Sequence, residues 1–189
     1  MSGGGGKLGQ VLVTGRPGVG KTTLVTRVAE ALRNAGLSVS GFITREQRQG
    51  GLRTGFEVES LEETGRVGRL AGTEAGLAGP RVGKYSVDVE GFEAVALPAM
   101  RSGTDVMILD EVGKMESFSS AFGRELEALL TRPKRPFLLA TIPIAKGKPL
   151  ALVTRISSQP LSRTVMLSRD KRDQQTQEVI QLILNDYSD

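Results

Sequence analysis

Gly15-Arg16-Pro17-Gly18-Val19-Gly20-Lys21-Thr22-Thr23 fits the pattern Gly-x-x-x-x-Gly-Lys-Ser/Thr of a phosphate-binding loop, and its reading decides the fold. Its glycines let the backbone wrap tightly around an anion, with successive N–H groups pointing at phosphate oxygens. Lys21 brings a mobile positive charge to the outer phosphates, and Thr22 offers a hydroxyl to a metal ion. Both open a helix whose N-terminal dipole favours the same anion. Upstream, Gln10–Thr14 is a short apolar run that reads as a buried strand. Downstream, Leu24, Val25, Val28, Ala29, Leu32 and Ala35 recur at helical spacing, and Gly36 stands where a helix stops. Strand, glycine loop and helix in that order imply that residues 15–23 hold nucleotide phosphates.

Working outward, apolar runs and helical patterns alternate, the mark of an α/β layered fold. Residues 38–44 predict a second strand. From Arg45 to about Val82 the pattern changes: Gly50-Gly51 reads as a hairpin turn, residues 54–61 as a strand, and Gly65 and Gly68 as further turns. This is the expected antiparallel β insertion beside a mostly parallel sheet, with residues 65–83 as a mobile loop. A helix is predicted over about 90–100, with Phe92, Val95, Ala96 and Ala99 on one face. Further strands are predicted at 105–110, 137–142 and 164–167, and helices at about 117–130 and 170–186. The expected organisation is a Gly-rich leader over 1–9 and a single domain over 10–189, a three-layer P-loop NTPase sandwich.

Composition narrows the chemistry. The chain has 189 residues, enough for one well-buried domain and short for two. It has no cysteine, which excludes disulfides, thiolate nucleophiles and zinc–thiolate sites. Histidine is also absent, so proton transfer must rest on carboxylates, lysine or tyrosine. The net charge is +4, but acids interrupt every basic stretch, and two Tyr with no Trp leave little for base stacking on nucleic acid. No apolar run approaches the ~20 residues of a membrane span. A nucleic-acid or membrane partner is not expected; a cytoplasmic monomer is.

The run Val106-Met-Ile-Leu-Asp110-Glu111 has the form of a Walker B strand. A buried parallel strand would deliver Asp110 beside the phosphate loop, where its carboxylate and Thr22 hold Mg²⁺, the expected cofactor. Glu111 is placed to polarise an attacking water. Glu116, five residues on, either approaches the outer phosphates or caps the helix that starts near Ser117.

The phosphate loop, Gly41–Glu46, Arg81–Asp88, Asp110–Glu116 and Thr141–Pro149 occur in one order. Together they resemble the cancer-related nucleoside-triphosphatase family, small P-loop NTPases akin in fold to nucleotide kinases. The similarity runs from Gln10 to Leu184. It implies Mg²⁺-dependent hydrolysis of nucleoside 5′-triphosphates to diphosphates with broad base tolerance; a nucleotide or small-molecule kinase and a nucleotide-dependent switch or partner-binding module are the alternatives. It also implies that the Val106–Gly113 segment, Gly113 included, lines the phosphate pocket. The segment Asp170-Lys-Arg-Asp173 matches the family's Asn-Arg pair with Lys171 in place of Asn, leaving Arg172 to stack on a base. The same four residues brush against a guanine-reading signature, and Asp170 alternatively caps a helix. Arg45, Arg48, Arg81 and Arg155 are candidate transition-state arginines, Arg81 foremost, and Tyr85 packs either against the base or into the core.

Overall fold

The computed structural model describes residues 8–62, 65–145 and 147–187. Its elements are, in order, β1 (Gln10–Thr14), α1 (Lys21–Asn34), β2 (Val39–Gln49), β3 (Leu52–Ser60), β4 (Val67–Gly72), β5 (Arg81–Val82) and β6 (Tyr85–Val87). These are followed by α2 (Val89–Arg101), β7 (Val106–Leu109), a 3-10 turn (Glu116–Phe118), α3 (Ser120–Thr131), β8 (Phe137–Ile142), α4 (Ala151–Ser157), β9 (Ser162–Met166) and α5 (Arg172–Tyr187). One nine-stranded sheet runs β5-β6-β4-β3-β2-β7-β8-β1-β9. The half from β2 to β9 is parallel, and the half from β2 to β5 is antiparallel.

Of the parallel strands, β7 is apolar throughout and β8 apolar but for Thr141, because helices cover both their faces, whereas the edge strand β9 is largely exposed. Leu12, Met107, Leu109, Leu138 and Ala140 face one core, with α2, α3 and α4. Val11, Val13, Val106, Ile108 and Leu139 face the other, with α1 and α5. Alternate side chains of each strand thus serve opposite layers. On the first face Phe42, Phe92 and Phe122 meet edge to face, with centroids 5.3 to 6.0 Å apart, and tie β2 to α2 and α3.

Several expected boundaries move. β2 does not end at Thr44 but runs on to Gln49, so the insertion is a continuation of the sheet. Val67–Gly72 is a strand with Leu70 and Ala71 in the core, not part of a loop. Gly68 lies inside that strand and makes no turn. A Cβ there would stand 2.6 Å from the Gly91 carbonyl oxygen, so glycine lets α2 approach the sheet. α3 begins at Ser120, because Ser119 takes an extended backbone and its Oγ accepts from Phe122 N at 2.9 Å. α5 begins at Arg172, two residues after the expected Asp170. The leader over residues 1–7 lies outside the described residues. Gly9, expected within it, donates from its backbone N to the Leu161 carbonyl at 2.8 Å. Among the described residues no helix is long and apolar enough to cross a membrane.

Candidate active site

The phosphate loop leaves the C-terminal end of β1 and enters α1. Gly18 and Gly20 have φ of 73° and 106°, left-handed values that a Cβ would strain. Val19 is pinned beneath the loop by its N–H bond to the Arg16 carbonyl at 3.1 Å, while Arg16, Pro17 and Gly18 are exposed. At the start of α1, Lys21 Nζ donates to the Gly15 carbonyl at 3.1 Å and stands 3.8 Å from Glu111 Oε2. Thr23 is exposed on the first turn.

β8 lies between β1 and β7, so Asp110 reaches the loop across an intervening strand. The register of Leu109 against Ala140 sets Asp110 beside Thr141. Asp110 is 1% exposed and fully engaged. Its Oδ2 accepts from Thr22 Oγ1 at 2.7 Å and from Thr44 N at 3.3 Å, and its Oδ1 accepts from Thr141 Oγ1 at 2.6 Å. Burial raises its pKa, against the three hydrogen bonds that favour the carboxylate. Thr141 and Thr44 are site residues that the sequence did not single out, since a threonine near a strand end reads as an ordinary β-former.

Glu111 and Glu116 differ in kind. The Glu111 side chain is 33% exposed; burial raises its pKa and Lys21 pulls it back. Glu116 is 4% exposed, and its Oε2 accepts from Gly113 N at 3.1 Å. Its pKa is pushed up to about 8, by burial first and then by Glu111 among the nearby charges. At neutral pH it therefore holds a proton, whereas Glu111 is the acid next to Lys21 and partly open to solvent. Both flank Gly113: a Cβ there would lie 3.0 Å from Glu116 Oε2 and 3.1 Å from Glu111 Oε1. Glu116 opens the 3-10 turn, and Ser119 caps α3, so the helix-cap alternative for Glu116 does not describe α3.

On the other side of β1 a cleft of about 470 Å³ opens beside the loop. Val19, Ile144, Met166 and Leu167 give it an apolar lining, and Arg16 and Arg169 stand at it. Gln175 of α5 holds its wall: it donates to the Met166 carbonyl at 2.8 Å and accepts from Ser168 N at 3.0 Å. A second cleft, about 350 Å³, lies at the opposite end of the sheet near Gly9, Arg135 and Tyr187, away from the loop.

The remaining candidates scatter. Arg81 sits on β5, seven strand positions from β1, which is roughly 34 Å along the sheet at ~4.8 Å per strand. Arg45 pairs with Glu59, Arg48 with Glu46 and Arg155 with Glu127, so these three are engaged elsewhere. Tyr85 is buried against Phe56, and its hydroxyl accepts from Arg53 Nε at 2.9 Å, which places it in the core. Asp173 pairs with Arg27 on α1 at 2.6 Å and does not line the cleft. Arg172 is absent from the cleft lining as well, and its guanidinium lies against Gly20.

This sequence and fold have counterparts. A model of the NTPase family matches residues 10–180. A bovine protein, cancer-related nucleoside-triphosphatase homolog, is 41% identical over 180 residues, 90% of this chain and 94% of that one. Nucleoside-triphosphatase THEP1 of Pyrococcus abyssi is 42% identical over 171 residues, covering 89% of this chain and 88% of its own. The solution structure of a human cancer-related nucleoside triphosphatase superposes with a TM-score of 0.80 at 38% identity, over 93% of this chain and 97% of that one. With its phosphate loop, paired carboxylates and a match in sequence and fold over about nine-tenths of its length, the chain belongs to the NTPase family of nucleoside-triphosphate-hydrolysing enzymes.

Proposed function

We propose that this chain hydrolyses nucleoside 5′-triphosphates to nucleoside diphosphates and phosphate, with Mg²⁺ as cofactor and broad base tolerance. The observation that carries the reading is the convergence of Lys21, Thr22, Asp110 and Glu111 on one side of the phosphate loop. The Thr22 hydroxyl and the Asp110 carboxylate are hard oxygen donors 2.7 Å apart. They suit Mg²⁺, which is usually held by one or two carboxylates and completes its shell with water and phosphate oxygens. Among the described residues no cluster of three His, Cys, Asp or Glu offers an all-protein cage. Bound to Thr22 and Asp110, the ion would neutralise charge on the outer phosphates.

The chain's own groups do the rest. Loop N–H groups and Lys21 bind the outer phosphates and offset charge as it develops on them. Glu111, held near Lys21 and open to water, orients the nucleophile and receives its proton. The water oxygen bonds to the terminal phosphorus while the bond to the bridging oxygen breaks, and the diphosphate leaves. The base would rest in the cleft between Arg16 and Arg169. Its apolar lining can pack any base face, which supports broad tolerance.

The test is phosphate release from ATP, GTP, CTP or UTP with Mg²⁺, with and without a panel of nucleoside acceptors. Release without acceptor, lost in a folded Lys21→Ala variant, is the expected result. Turnover that requires a hydroxyl acceptor would make the chain a kinase and overturn the reading.

A further inference from the structure

Arg172 opens α5, and its side chain lies on the phosphate loop at Gly20. Its Cδ and Nη1 would be 2.8 and 3.0 Å from a Cβ placed on Gly20, so the guanidinium packs directly on the loop backbone. Nε is buried and has no hydrogen-bond partner among the described residues. The acid next to it, Asp173, is spent on Arg27. A buried, unpaired N–H costs free energy that an incoming oxygen would recover.

The strand order says which oxygen. Asp110 and Glu111 follow β7, on one side of β1. β9 and the start of α5 lie on the other, with the apolar cleft. A phosphate chain whose reacting end meets Glu111 and whose base lies against Leu167 passes Gly20 with its inner phosphates. We propose that Arg172 binds those inner phosphates and is not a base-stacking residue, so that much of the substrate affinity is independent of the base. This rests on the hydrolase reading of the same site. A guanidinium suits the role because it presents parallel N–H donors to phosphate oxygens and keeps its charge at any working pH.

The experiment is competition of Mg²⁺-tripolyphosphate, which has no base, and of ADP against a fluorescent nucleotide on wild type, Arg172→Ala and Arg172→Lys. Arg172→Ala should weaken tripolyphosphate and ADP by a similar factor, about 10- to 100-fold, the range of a charge-assisted contact. Arg172→Lys should recover part of that loss and guards against an alanine variant that does not fold. Tripolyphosphate bound equally well by wild type and both variants, with the loss confined to ADP, would make Arg172 a base-stacking residue and overturn the proposal. So would no loss for either ligand, or no binding of tripolyphosphate to wild type. Failure of the hydrolase reading looks different: the wild type would bind nucleotide yet release no phosphate from it.

Discussion

At the scale of single residues, burial raises the pKa of two glutamates close in sequence, and the deeper burial of Glu116 sets it apart. Glu111 keeps one side to solvent and a lysine nearby, while Glu116 is sealed beside Gly113 with backbone N–H groups as its hydrogen-bond partners. Because the folded pKa of Glu116 is pushed up to about 8, from an ordinary value of 4.5, the folded protein holds a proton that the unfolded chain releases. Stability from this group is therefore full below about pH 4.5 and falls as pH rises toward 8, by up to about 1.4 kcal/mol per pH unit. Glu116→Gln, which mimics the protonated acid, should match wild type at pH 4 and melt higher than wild type at pH 8. Thermal melts across that range check it; parallel curves for the two proteins would show that Glu116 ionises freely. None of this was legible in the sequence, where Glu116 sat evenly between pocket and helix cap. Its burial depends on how the 3-10 turn packs against α2 and α3, which no local pattern encodes.

At the scale of elements, legibility follows burial. Val106–Leu109 and Phe137–Ile142 are covered on both faces, so they read as apolar runs, broken only by Thr141, and were readable within a residue or two. β4 was not, because Gly68 and Gly72 interrupt it and only Leu70–Gly72 are buried. α4 has seven residues, too few to display a helical period, and only Ile156 is buried. The start of α3 was misplaced by three residues because Ser117 and Ser119 are both plausible caps. Structure decides for Ser119: it accepts from Phe122 N, and its hydroxyl donates to Glu93 Oε1 at 2.6 Å, at 2% exposure. Ser119→Ala should cost about 1 to 2 kcal/mol, the cap plus a stranded Glu93, whereas Ser117→Ala should cost less than half of that. Urea unfolding of both variants gives the comparison, and equal losses would move the cap.

At the scale of the whole molecule, the sheet joins a parallel half that builds the phosphate site to an antiparallel half that ends far from it. The phosphate loop and Asp110 were plain in the sequence because glycine spacing and a strand-end acid are local signals. The arginines were not, because their value depends on which strand edge carries them. Arg81 stands on the far edge, and the other three candidates are paired away from the loop. Without one of these as an arginine finger, intrinsic turnover should be slow, on the order of 10⁻⁴ to 10⁻² s⁻¹. An apolar cleft with Asp173 engaged elsewhere predicts that purine and pyrimidine triphosphates differ by less than about tenfold in kcat/KM, near 1.4 kcal/mol. A GTP preference beyond about a hundredfold would contradict that. The central claim is that Glu111 activates the water while Asp110 serves the cation, and single-turnover hydrolysis beside a nucleotide titration tests it most directly. Glu111→Gln should slow hydrolysis by roughly 10²- to 10³-fold with nucleotide Kd nearly unchanged, and Asp110→Asn should also weaken Mg²⁺-dependent binding. Normal hydrolysis by Glu111→Gln together with a dead Glu116→Gln would contradict the account and move the base to Glu116.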